Sequence, residues 1–586
     1  MVLKDLSLSQ FALHLLREYG EKKAMSILRK EWVTFTYRDM VDLAIETAGE
    51  IKKLNLNPED KIAIIMDSAP EYASAFFASG LAGHTTLLLD AKLTPEEMKQ
   101  ILEHSDSKAI ITGFTARGAT EKLLEILPEK RPVLHIDTVK RSEKSADLLE
   151  KKLALLNGLT PKDVAVLVYT SGTTSEPKGV MLTLEGILFN AGAVISSAGP
   201  NENPVFLSIL PLNHMLEFTG GLIIPLTLGA HIVFANTLLP HEVMERFQAY
   251  TYTDMIVVPL FLRSIRAAIL REVGKSATKS VYFKIAFTLS RIIPFIAFKR
   301  MLFKPIVQKL GGLKRFICGG AALEFSTQEF FNLMGIKVCQ GYGLTETSPV
   351  TTVTYKEDKL LGTQGRALPG TEIRIEEATG EILIRGPHIM KGYYKKPELT
   401  TQVFALGGWF KTGDIGHLDK NGNLFITGRL KELIVLGTGK KVFPDEVESL
   451  MKISDNIKEI LIVGALEKSG TLKNTEAVCA VVVPSDELLK KADLMVIRET
   501  VEKEIRKNAE TLAAYKKPSK VYLSFQELPK TNTRKNKRTL IKRMIEAGAF
   551  DEPRLPDNSD DLRNVWCAQK AINTVKVSDY ELGPRS

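Results

Sequence analysis

The sequence predicts an α/β protein with a large N-terminal body and a small α+β C-terminal domain. Short β-branched runs alternate with amphipathic helical patterns along much of the chain, which favours layered, largely parallel sheets. A period-two pattern that turns through a glycine at 373–385 indicates a β-rich subdomain after these layers. The chain has 586 residues, of which 44% are hydrophobic, so it is too long for one core but can bury several.

The individual elements follow from local patterns. Charges interrupt every apolar run of residues 1–23, which is typical of an amphipathic helix rather than a signal peptide. The acidic first turn and the apolar spacing of residues 94–104 predict a helix. Six short apolar runs predict strands, at residues 61–66, 109–113, 133–137, 231–235, 255–259 and 315–320.

The same patterns predict the domain boundaries. The large body should span residues 1–428, with the β-rich subdomain at about 350–428. The small domain should span residues 429–549, where two further apolar runs flank a helical pattern. Residues 550–586 contain few apolar residues and are expected to form a loosely ordered polar tail.

Charge and cysteine content exclude several classes of protein. The net charge is +9, but the Lys and Arg residues are interleaved with 69 acidic ones, so we expect no nucleic acid partner. Anionic small molecules, an acidic carrier protein or an anionic membrane surface are the expected partners. The four cysteines form no CxxC pair and no histidine cluster has metal-ligand spacing, which fits a reducing cytoplasm and no structural zinc.

Two apolar segments raise the question of membrane contact. Residues 218–240 carry no charge, but glycines and a proline divide them into a short helix and a strand, which favours a buried core over a membrane span. Residues 275–305 are rich in Phe and Ile and are punctuated by Lys and Arg. They are either a helical excursion that packs on the body or a peripheral contact with lipid.

The segment YTSGTTSEPKGV, residues 169–180, has the composition of a phosphate-binding loop. Its glycines let backbone N–H groups face an anion, its hydroxyls donate hydrogen bonds, and its lysine supplies a positive charge. It is not a Walker A loop, because Lys178 precedes the second glycine rather than following it. For this loop alone, a solvated linker is the alternative. The candidate phosphate ligands are Thr170, Ser171, Gly172, Thr173, Thr174 and Lys178.

Three later segments, together with this loop, carry a family resemblance. They are GYGLTETSP at 341–349, WFKTGD at 409–414 followed by GRLKEL at 428–433, and PKTNTRKNKR at 529–538. In order and spacing, the four motifs resemble those of the adenylate-forming superfamily, which includes acyl-CoA synthetases, luciferases and peptide-synthetase adenylation domains. The resemblance covers residues 1 to about 549. It implies that ATP and an acid form an acyl-adenylate and that a thiol then takes the acyl group.

The resemblance also implies roles for single residues. Lys535 corresponds to the catalytic lysine, while Thr345 and Glu346 correspond to the residues that contact phosphate and hold Mg²⁺. Carboxylate oxygen suits that ion. Asp414 and Arg429 correspond to the pair that binds the ribose hydroxyls. The remaining positions are Tyr342 and Gly343 beside the adenine, Gly319, Gly320 and Ala321 beside adenine or acyl chain, and His214 between the nucleotide and the acyl pocket.

Lys431 corresponds to the hinge of a mobile small domain. In such proteins this domain first brings the lysine to the nucleotide and then turns another face, here including 437–441, toward the thiol. Closure of this kind also excludes water from the reactive intermediate. Two half-reactions that separate on mutation are therefore expected.

The substrate is inferred from finer resemblance. PLNHMLEFTGG, GLTETSPV, GKKVFPDEVE and the PKTxTxK form of the lysine motif are similar to bacterial long-chain fatty acid ligases. We therefore expect a fatty acid, ATP, Mg²⁺ and coenzyme A, in the cytoplasm or at the inner face of the membrane. Transfer to acyl carrier protein is the main alternative, a short-chain or aryl acid ligase is a weaker one, and a catalytically silent binding protein is an alternative of another class.

Overall fold

The computed structural model describes residues 2–142, 145–170, 178–199, 201–237, 240–451, 454, 456–466, 475–491, 493–530 and 536–550. Residues 171–177 of the phosphate-binding loop lie outside these ranges. So do Lys535 and the predicted tail from residue 551 onward.

Strands and helices alternate through the first part of the chain and give way to a run of strands after residue 352. The strands are β1 (Lys23–Leu28), β2 (Trp32–Thr36), β3 (Lys61–Ile65), β4 (Thr85–Leu89), β5 (Ser107–Thr112), β6 (Val133–His135), β7 (Val164–Thr170), β8 (Lys178–Thr183), β9 (Val205–Ser208), β10 (His231–Phe234), β11 (Asp254–Val257), β12 (Arg315–Cys318), β13 (Lys337–Tyr342), β14 (Thr352–Val353), β15 (Arg366–Ala367), β16 (Glu372–Ile375), β17 (Glu381–Arg385), β18 (Gly392–Tyr393), β19 (Phe404–Ala405), β20 (Trp409–Leu418), β21 (Leu424–Arg429), β22 (Ile434–Val435), β23 (Lys441–Val442), β24 (Ile457–Leu466), β25 (Glu476–Pro484) and β26 (Lys520–Leu523).

The helices lie between these strands, and several begin at side-chain caps. They are α1 (Leu8–Tyr19), α2 (Tyr37–Lys52), α3 (Pro70–Leu81), α4 (Pro95–Ser105), α5 (Arg117–Ile126), α6 (Ala146–Ala154), α7 (Leu184–Ala198), α8 (Met215–Glu217), α9 (Ile224–Thr227), α10 (Pro240–Ala249), α11 (Pro259–Gly274), α12 (Ala277–Ile292), α13 (Ile296–Leu302), α14 (Lys304–Lys309), α15 (Phe325–Leu333), α16 (Pro397–Gln402), α17 (Pro444–Leu450), α18 (Asp486–Lys491), α19 (Leu494–Asn508) and α20 (Arg538–Glu546). Reciprocal Ser or Thr caps begin α1, α2 and α4.

The predicted strands and helices of the body are confirmed, although some ends shift. The six predicted runs form β3, β5, β6, β10, β11 and β12, and α1 and α4 form where helices were expected. The run 133–137 is shorter than predicted, because Ile136–Thr138 turns into a 3₁₀ helix. The run 255–259 likewise ends early, since Pro259 has no N–H for the ladder and begins α11 instead.

Two large sheets form the body. One has seven strands in the order β18-β8-β7-β4-β3-β5-β6, and the other has nine in the order β15-β14-β13-β12-β11-β9-β10-β1-β2. Strands β9, β11, β12 and β13 pair in parallel, so the loops that follow them meet at one edge of the nine-stranded sheet. The carboxyl edge of a parallel sheet is where α/β proteins bind ligands.

The β-rich subdomain and the small domain follow. Strands β16, β17, β20 and β19 form an antiparallel sheet to which β21 adds, and the DKNGN turn at 419–423 joins β20 to β21 as predicted. Strands β24, β25 and β26 form a separate sheet. The buried clusters of residues 434–550 contain no member from before residue 428, among the residues described. The boundary at 428 stays a prediction, which this separation of cores supports.

Residues 218–235 of the uncharged segment 218–240 lie largely in the core. Residues 218–226 form a buried π-helical and α-helical stretch, and β10 follows as an internal strand of the nine-stranded sheet. This agrees with the prediction of a buried core. Across the described ranges, no helix is both long and apolar enough to cross a membrane.

Candidate functional site

The described ends of the phosphate-loop motif lie on two paired strands, β7 and β8, of the seven-stranded sheet. Thr170, the last residue of β7, pairs with Lys178, the first residue of β8. Residues 171–177 connect them and lie outside the described residues, so the predicted roles of Ser171, Gly172, Thr173 and Thr174 stay predictions. The hairpin nevertheless fixes where the loop begins and ends, and it holds the Lys178 side chain in a half-buried position.

Glu346 reaches this hairpin from the nine-stranded sheet. It lies in a 3₁₀ turn, Thr345–Thr347, directly after β13. The Tyr393 hydroxyl donates a hydrogen bond of 2.8 Å to Glu346 Oε1. Tyr393 lies on β18, which pairs with β8 and places Tyr393 opposite Val180. The two large sheets therefore meet through the contact of Tyr393 with Glu346.

A second contact brings in the β-rich subdomain. Asp414 on β20 lies opposite Arg429 at the end of β21, and Arg429 Nε is 2.9 Å from Asp414 Oδ1. The hydroxyl of Tyr342 donates a 2.8 Å hydrogen bond to Asp414 Oδ2. Burial would lower the pKa of Arg429, but Asp414, together with Glu432, Tyr342 and Asp445, more than offsets this effect and the pKa is raised. The predicted ribose-binding pair is thus assembled, with Arg429 charged and oriented by a buried carboxylate.

Gly343 lies between Tyr342 and the turn that carries Glu346, where the packing is tight. A Cβ atom on this residue would lie 1.9 Å from the carbonyl oxygen of Pro349 and 2.8 Å from Thr347 Oγ1. No side chain larger than hydrogen fits unless the backbone moves. The turn that carries Thr345 and Glu346 is therefore held against Tyr342 by a glycine.

Lys178 interacts electrostatically with Glu346 and with two other lysines. The pKa of Lys178 is lowered, first by burial and then by the positive charge of Lys431, while Glu346 raises it. Lys396 lowers it further. Lys431, predicted as a hinge, is thus close enough in this structure to affect the phosphate-loop lysine. Mutually repelling cations near Lys178 form a site for a polyanion.

The other side of this edge is apolar and closely packed. His214 precedes α8 in the loop after β9, and burial lowers the pKa of its imidazole, so the ring is neutral near pH 7. The next turn places Leu216 Cδ1 at 3.3 Å from where a Cβ of Gly319 would be. Gly319, Gly320 and Ala321 follow β12, and Gly320 has a φ of +83°, which favours glycine. Small residues and Leu216 thus lie at the same sheet edge as Tyr342.

The chemistry of Glu346 fits Mg²⁺ bound together with a phosphate. No group of three or more His, Cys, Asp or Glu side chains in the described part of the chain could hold a metal ion by itself. Mg²⁺ commonly uses one or two protein carboxylates plus phosphate oxygens and water. Glu346 is partly exposed and sits beside Lys178, so it could supply the protein ligand of such a site.

Sequence reasoning missed three residues of this region. Tyr393 and Lys396 lie in GYYKKP, where a tyrosine pair and lysines next to a proline gave only a weak signal. Glu217 follows the His214 motif, is fully buried, and accepts a hydrogen bond of 2.5 Å from Ser208. Burial raises its pKa to about 8, so this carboxyl is largely protonated at neutral pH. Lys535, the predicted catalytic residue, lies outside the described residues.

The fold and this arrangement of charges define an adenylate-forming enzyme. The family model of the AMP-binding enzymes matches residues 14–394, and the chain belongs to that family. By class it is an AMP-forming acid–thiol ligase. ATP and coenzyme A fit such an enzyme as co-substrates, and Mg²⁺ fits it as the metal ion.

Individual relatives differ in the acids that their names give. The chain is 25% identical to the chloroplastic long-chain-fatty-acid–[acyl-carrier-protein] ligase of Arabidopsis thaliana, over 83% of this chain and 77% of the relative. It is 27% identical to fatty acyl-CoA synthetase B of Dictyostelium discoideum, over 77% and 74%. The o-succinylbenzoate coenzyme A synthetase of Bacillus subtilis, solved with ATP and a magnesium ion, superposes with a TM-score of 0.69 at 23% identity, over 90% and 98%, and shows the shared fold.

Proposed function

We propose that this protein activates a long-chain fatty acid with ATP to acyl-AMP and pyrophosphate, and then transfers the acyl group to coenzyme A. The observation that carries the proposal is the meeting of three sheets at residues 342–346, with a polyanion site on one side and small and apolar residues on the other. A nucleotide and an acyl chain would occupy these two sides.

The residues have complementary tasks in this proposal. A carboxylate that attacks the α-phosphorus must approach another anion, and charge develops on the phosphoryl oxygens during the attack. Lys178 and the phosphate loop would neutralise the phosphates, while Lys535 would stabilise the reacting carboxylate and α-phosphate. Asp414 and Arg429 would hold the ribose, and Tyr393 would orient Glu346. A bound Mg²⁺ would supply further charge neutralisation at the phosphates.

The fatty acid is favoured over other acids by two observations. Two of the relatives named above carry fatty acids in their names. In addition, the helical segment 275–305 of this chain exposes Phe and Ile side chains, which suits a substrate that partitions into lipid. Acyl carrier protein is a second candidate acceptor, because the Arabidopsis relative is named for it and a chain of net charge +9 would attract an acidic carrier.

A panel of acids tests the substrate and the acceptor together. Acids from butanoate to octadecanoate, with coumarate and succinylbenzoate, are incubated with ATP and Mg²⁺ and with coenzyme A, acyl carrier protein or neither. We expect pyrophosphate release to rise with chain length and thioester to form with coenzyme A. Preference for an aromatic acid would contradict the substrate, and preference for carrier protein would contradict the acceptor. Binding of ATP and fatty acid without pyrophosphate would indicate a silent protein.

A further inference from the structure

A helical insertion between β11 and β12 is only partly covered by the body. It comprises α11, α12, α13 and α14. Its inner face is well packed, since Phe283 and Phe303 are buried with ring centroids 5.6 Å apart. Phe283 also contacts Phe330 of α15, at 6.1 Å between centroids. The alternative that this segment packs an apolar face on the body is therefore correct for one face of it.

The outer face of the same helices is also apolar. A stripe of large side chains remains exposed along α12 and into α13, and Ile292 and Phe295 keep 72% and 71% of their surface in solvent. The stripe consists of Val281, Ile285, Leu289, Ile292, Phe295 and Ile296. Spacings of three and four residues place the α12 members on one side of the helix. Soluble proteins expose contiguous apolar patches mainly where they bind something.

The charged residues of the insertion itself are almost all positive, although Arg291 pairs with Glu329 of α15 at 3.2 Å. Residues 271–309 contain nine Lys and Arg and one acidic residue, Glu272. Glu272 is already paired with Lys275 at 2.8 Å and lies 3.7 Å from Lys279. Lys284 and Lys304 extend the basic rim along the insertion, and both are exposed. An apolar stripe with a basic rim is the pattern of a helix that lies in the headgroup region of an anionic membrane.

We propose that the outer face of α12 and α13 docks on an anionic lipid bilayer, with the stripe at the acyl boundary and the basic residues at the lipid phosphates. The contact is peripheral, and the helices lie along the surface. A second copy of the chain fits this face poorly, because a two-fold contact would bring two strongly basic rims together. Lipid phosphate matches the rim in charge and lipid chains match the stripe in polarity.

The insertion connects the proposed membrane contact to the candidate site, and this connection matters only if the proposed function holds. Helix α11 begins at Pro259, directly after β11, at the sheet edge that carries the candidate site. Val258 Cγ1 lies 3.8 Å from where a Cβ of Gly320 would be. Arg300 of α13 donates to the carbonyl oxygens of Gly312 and Gly335, which precede β12 and β13, so the end of the stripe lies near the opposite edge of this sheet. Helix α11 therefore joins the docking face to the edge whose loops are expected to bind the acyl chain.

Vesicle binding by the full-length protein tests the docking surface without reference to catalysis. The protein is sedimented with vesicles of phosphatidylcholine alone or of phosphatidylcholine and phosphatidylglycerol in equal parts. We expect binding to the anionic vesicles that weakens with added salt, and binding at least about 10-fold weaker to the neutral ones. The double variant Ile285→Glu with Ile292→Glu should lose about 10-fold or more in binding to anionic vesicles.

The control is Leu406→Glu, which adds a charge at a leucine that is 97% exposed in the β-rich subdomain. It should bind vesicles like the unaltered protein. Equal binding by the double variant and this control, or no binding of the unaltered protein to anionic vesicles, overturns the proposal. The proposal is also overturned if the unaltered protein is a dimer in sedimentation velocity and the double variant is a monomer. Thioester formation from a water-soluble acid without vesicles should be unchanged in the double variant, so failure of the proposed function would be seen separately.

Discussion

Asp414 links Tyr342 of the large body to Arg429, at the end of the last strand before the small domain. It accepts a hydrogen bond from Tyr342 and pairs with Arg429, and it is buried. Hydrogen bonds to a charged group contribute more than neutral ones, so both donors depend on the ionised form. We therefore expect this carboxylate to orient Arg429 for the ribose even before a nucleotide binds.

Replacement Asp414→Asn tests this arrangement. The amide keeps the size but loses the charge, so Arg429 loses its ion pair. The affinity for AMP should fall by about 10- to 100-fold, which corresponds to about 1.5–3 kcal/mol for a charged hydrogen bond. Calorimetric titration with AMP measures it. Glu372→Gln is the control, because it removes the exposed ion pair with Arg385 in the same sheet and should leave AMP affinity intact. An unchanged affinity in Asp414→Asn would contradict the ribose role.

Residues of the site could be found from the sequence where the signal was local. Asp414 and Arg429 lie in motifs that are joined by a hairpin turn evident from the sequence. The two residues pair because they lie opposite each other on neighbouring strands. Tyr393 could not be found this way, because its contact with Glu346 depends on the pairing of β18 with β8, two strands about 200 residues apart in the chain. Pairing between distant strands leaves no periodic trace in either segment.

At the scale of elements, the turn after β13 depends on one glycine. A methyl group at Gly343 would overlap the carbonyl oxygen of Pro349. Gly343→Ala should therefore push the Thr345–Thr347 turn away from β13 and destabilise the body by about 1–3 kcal/mol or more. Its thermal midpoint should fall, and AMP affinity should fall with it.

The neighbouring Gly341→Ala is the matched control for this variant. A Cβ there would lie 3.4 Å from the carbonyl oxygen of Thr352, which is an ordinary contact. Its thermal midpoint should stay near that of the unaltered protein. Equal thermal midpoints for Gly343→Ala and Gly341→Ala would show that the turn tolerates a side chain at residue 343.

Arg538 at the start of α20 holds four elements of the small domain together. It donates to Glu432, to Asp445 at 2.7 Å, to Glu448 at 2.8 Å, and to the carbonyl oxygen of Ile462 at 3.0 Å. Burial alone would lower its pKa, but the surrounding carboxylates, Glu448 first, raise it. The cation is therefore permanent, and the buried carboxylates depend on it.

Arg538→Met should destabilise the small domain by about 3–5 kcal/mol, because it takes the shared cation away from three partly buried carboxylates. Burial already raises the pKa of Glu448, and loss of Arg538 should raise it further. A carboxyl that binds its proton more tightly when folded stabilises the fold at low pH. The loss of unfolding free energy in Arg538→Met should thus be largest near pH 8 and shrink toward about pH 5. Urea titrations at each pH would measure it.

Arg543→Met provides the comparison on the same helix, since Arg543 is exposed. This variant should lower the free energy of unfolding only slightly at any pH. A deficit in Arg538→Met that grows on acidification would contradict the account of buried, unpaired carboxylates.

Most elements of the chain were predictable, but their ends were not. Strand β12 and helix α4 formed where apolar runs and caps indicated them. In contrast, the insertion 275–305 allowed two interpretations, because a helix that is apolar on opposite sides gives no single periodic face. Only the packing of Phe283 and the exposure of Ile292 distinguish its inner side from its outer side.

At the scale of the whole molecule, Lys431 lies within electrostatic range of Lys178 at the phosphate-loop hairpin. This follows from the effect of Lys431 on the pKa of Lys178. The domain is joined to the body just after Arg429, and Phe443 lies against Gly428, where a Cβ would be 3.0 Å from the phenylalanine ring. Its own core lies in separate clusters, as a domain that turns as a unit requires.

A domain of this kind predicts that Lys535, the proposed catalytic lysine, serves only one of two half-reactions. Lys535→Ala should slow formation of acyl-AMP by about 10²- to 10³-fold, the scale of losing one donor to the transition state. Thioester formation from supplied acyl-adenylate and coenzyme A should change much less, because the domain would by then have turned a different face to the site. Single-turnover measurements of each step separate the two rates. The matched control is Lys537→Ala, which removes a nearby positive charge from the same motif and should affect neither step strongly. Equal slowing of both steps in Lys535→Ala would mean that this lysine stays at the nucleotide throughout, and the alternating arrangement would then be wrong for this protein.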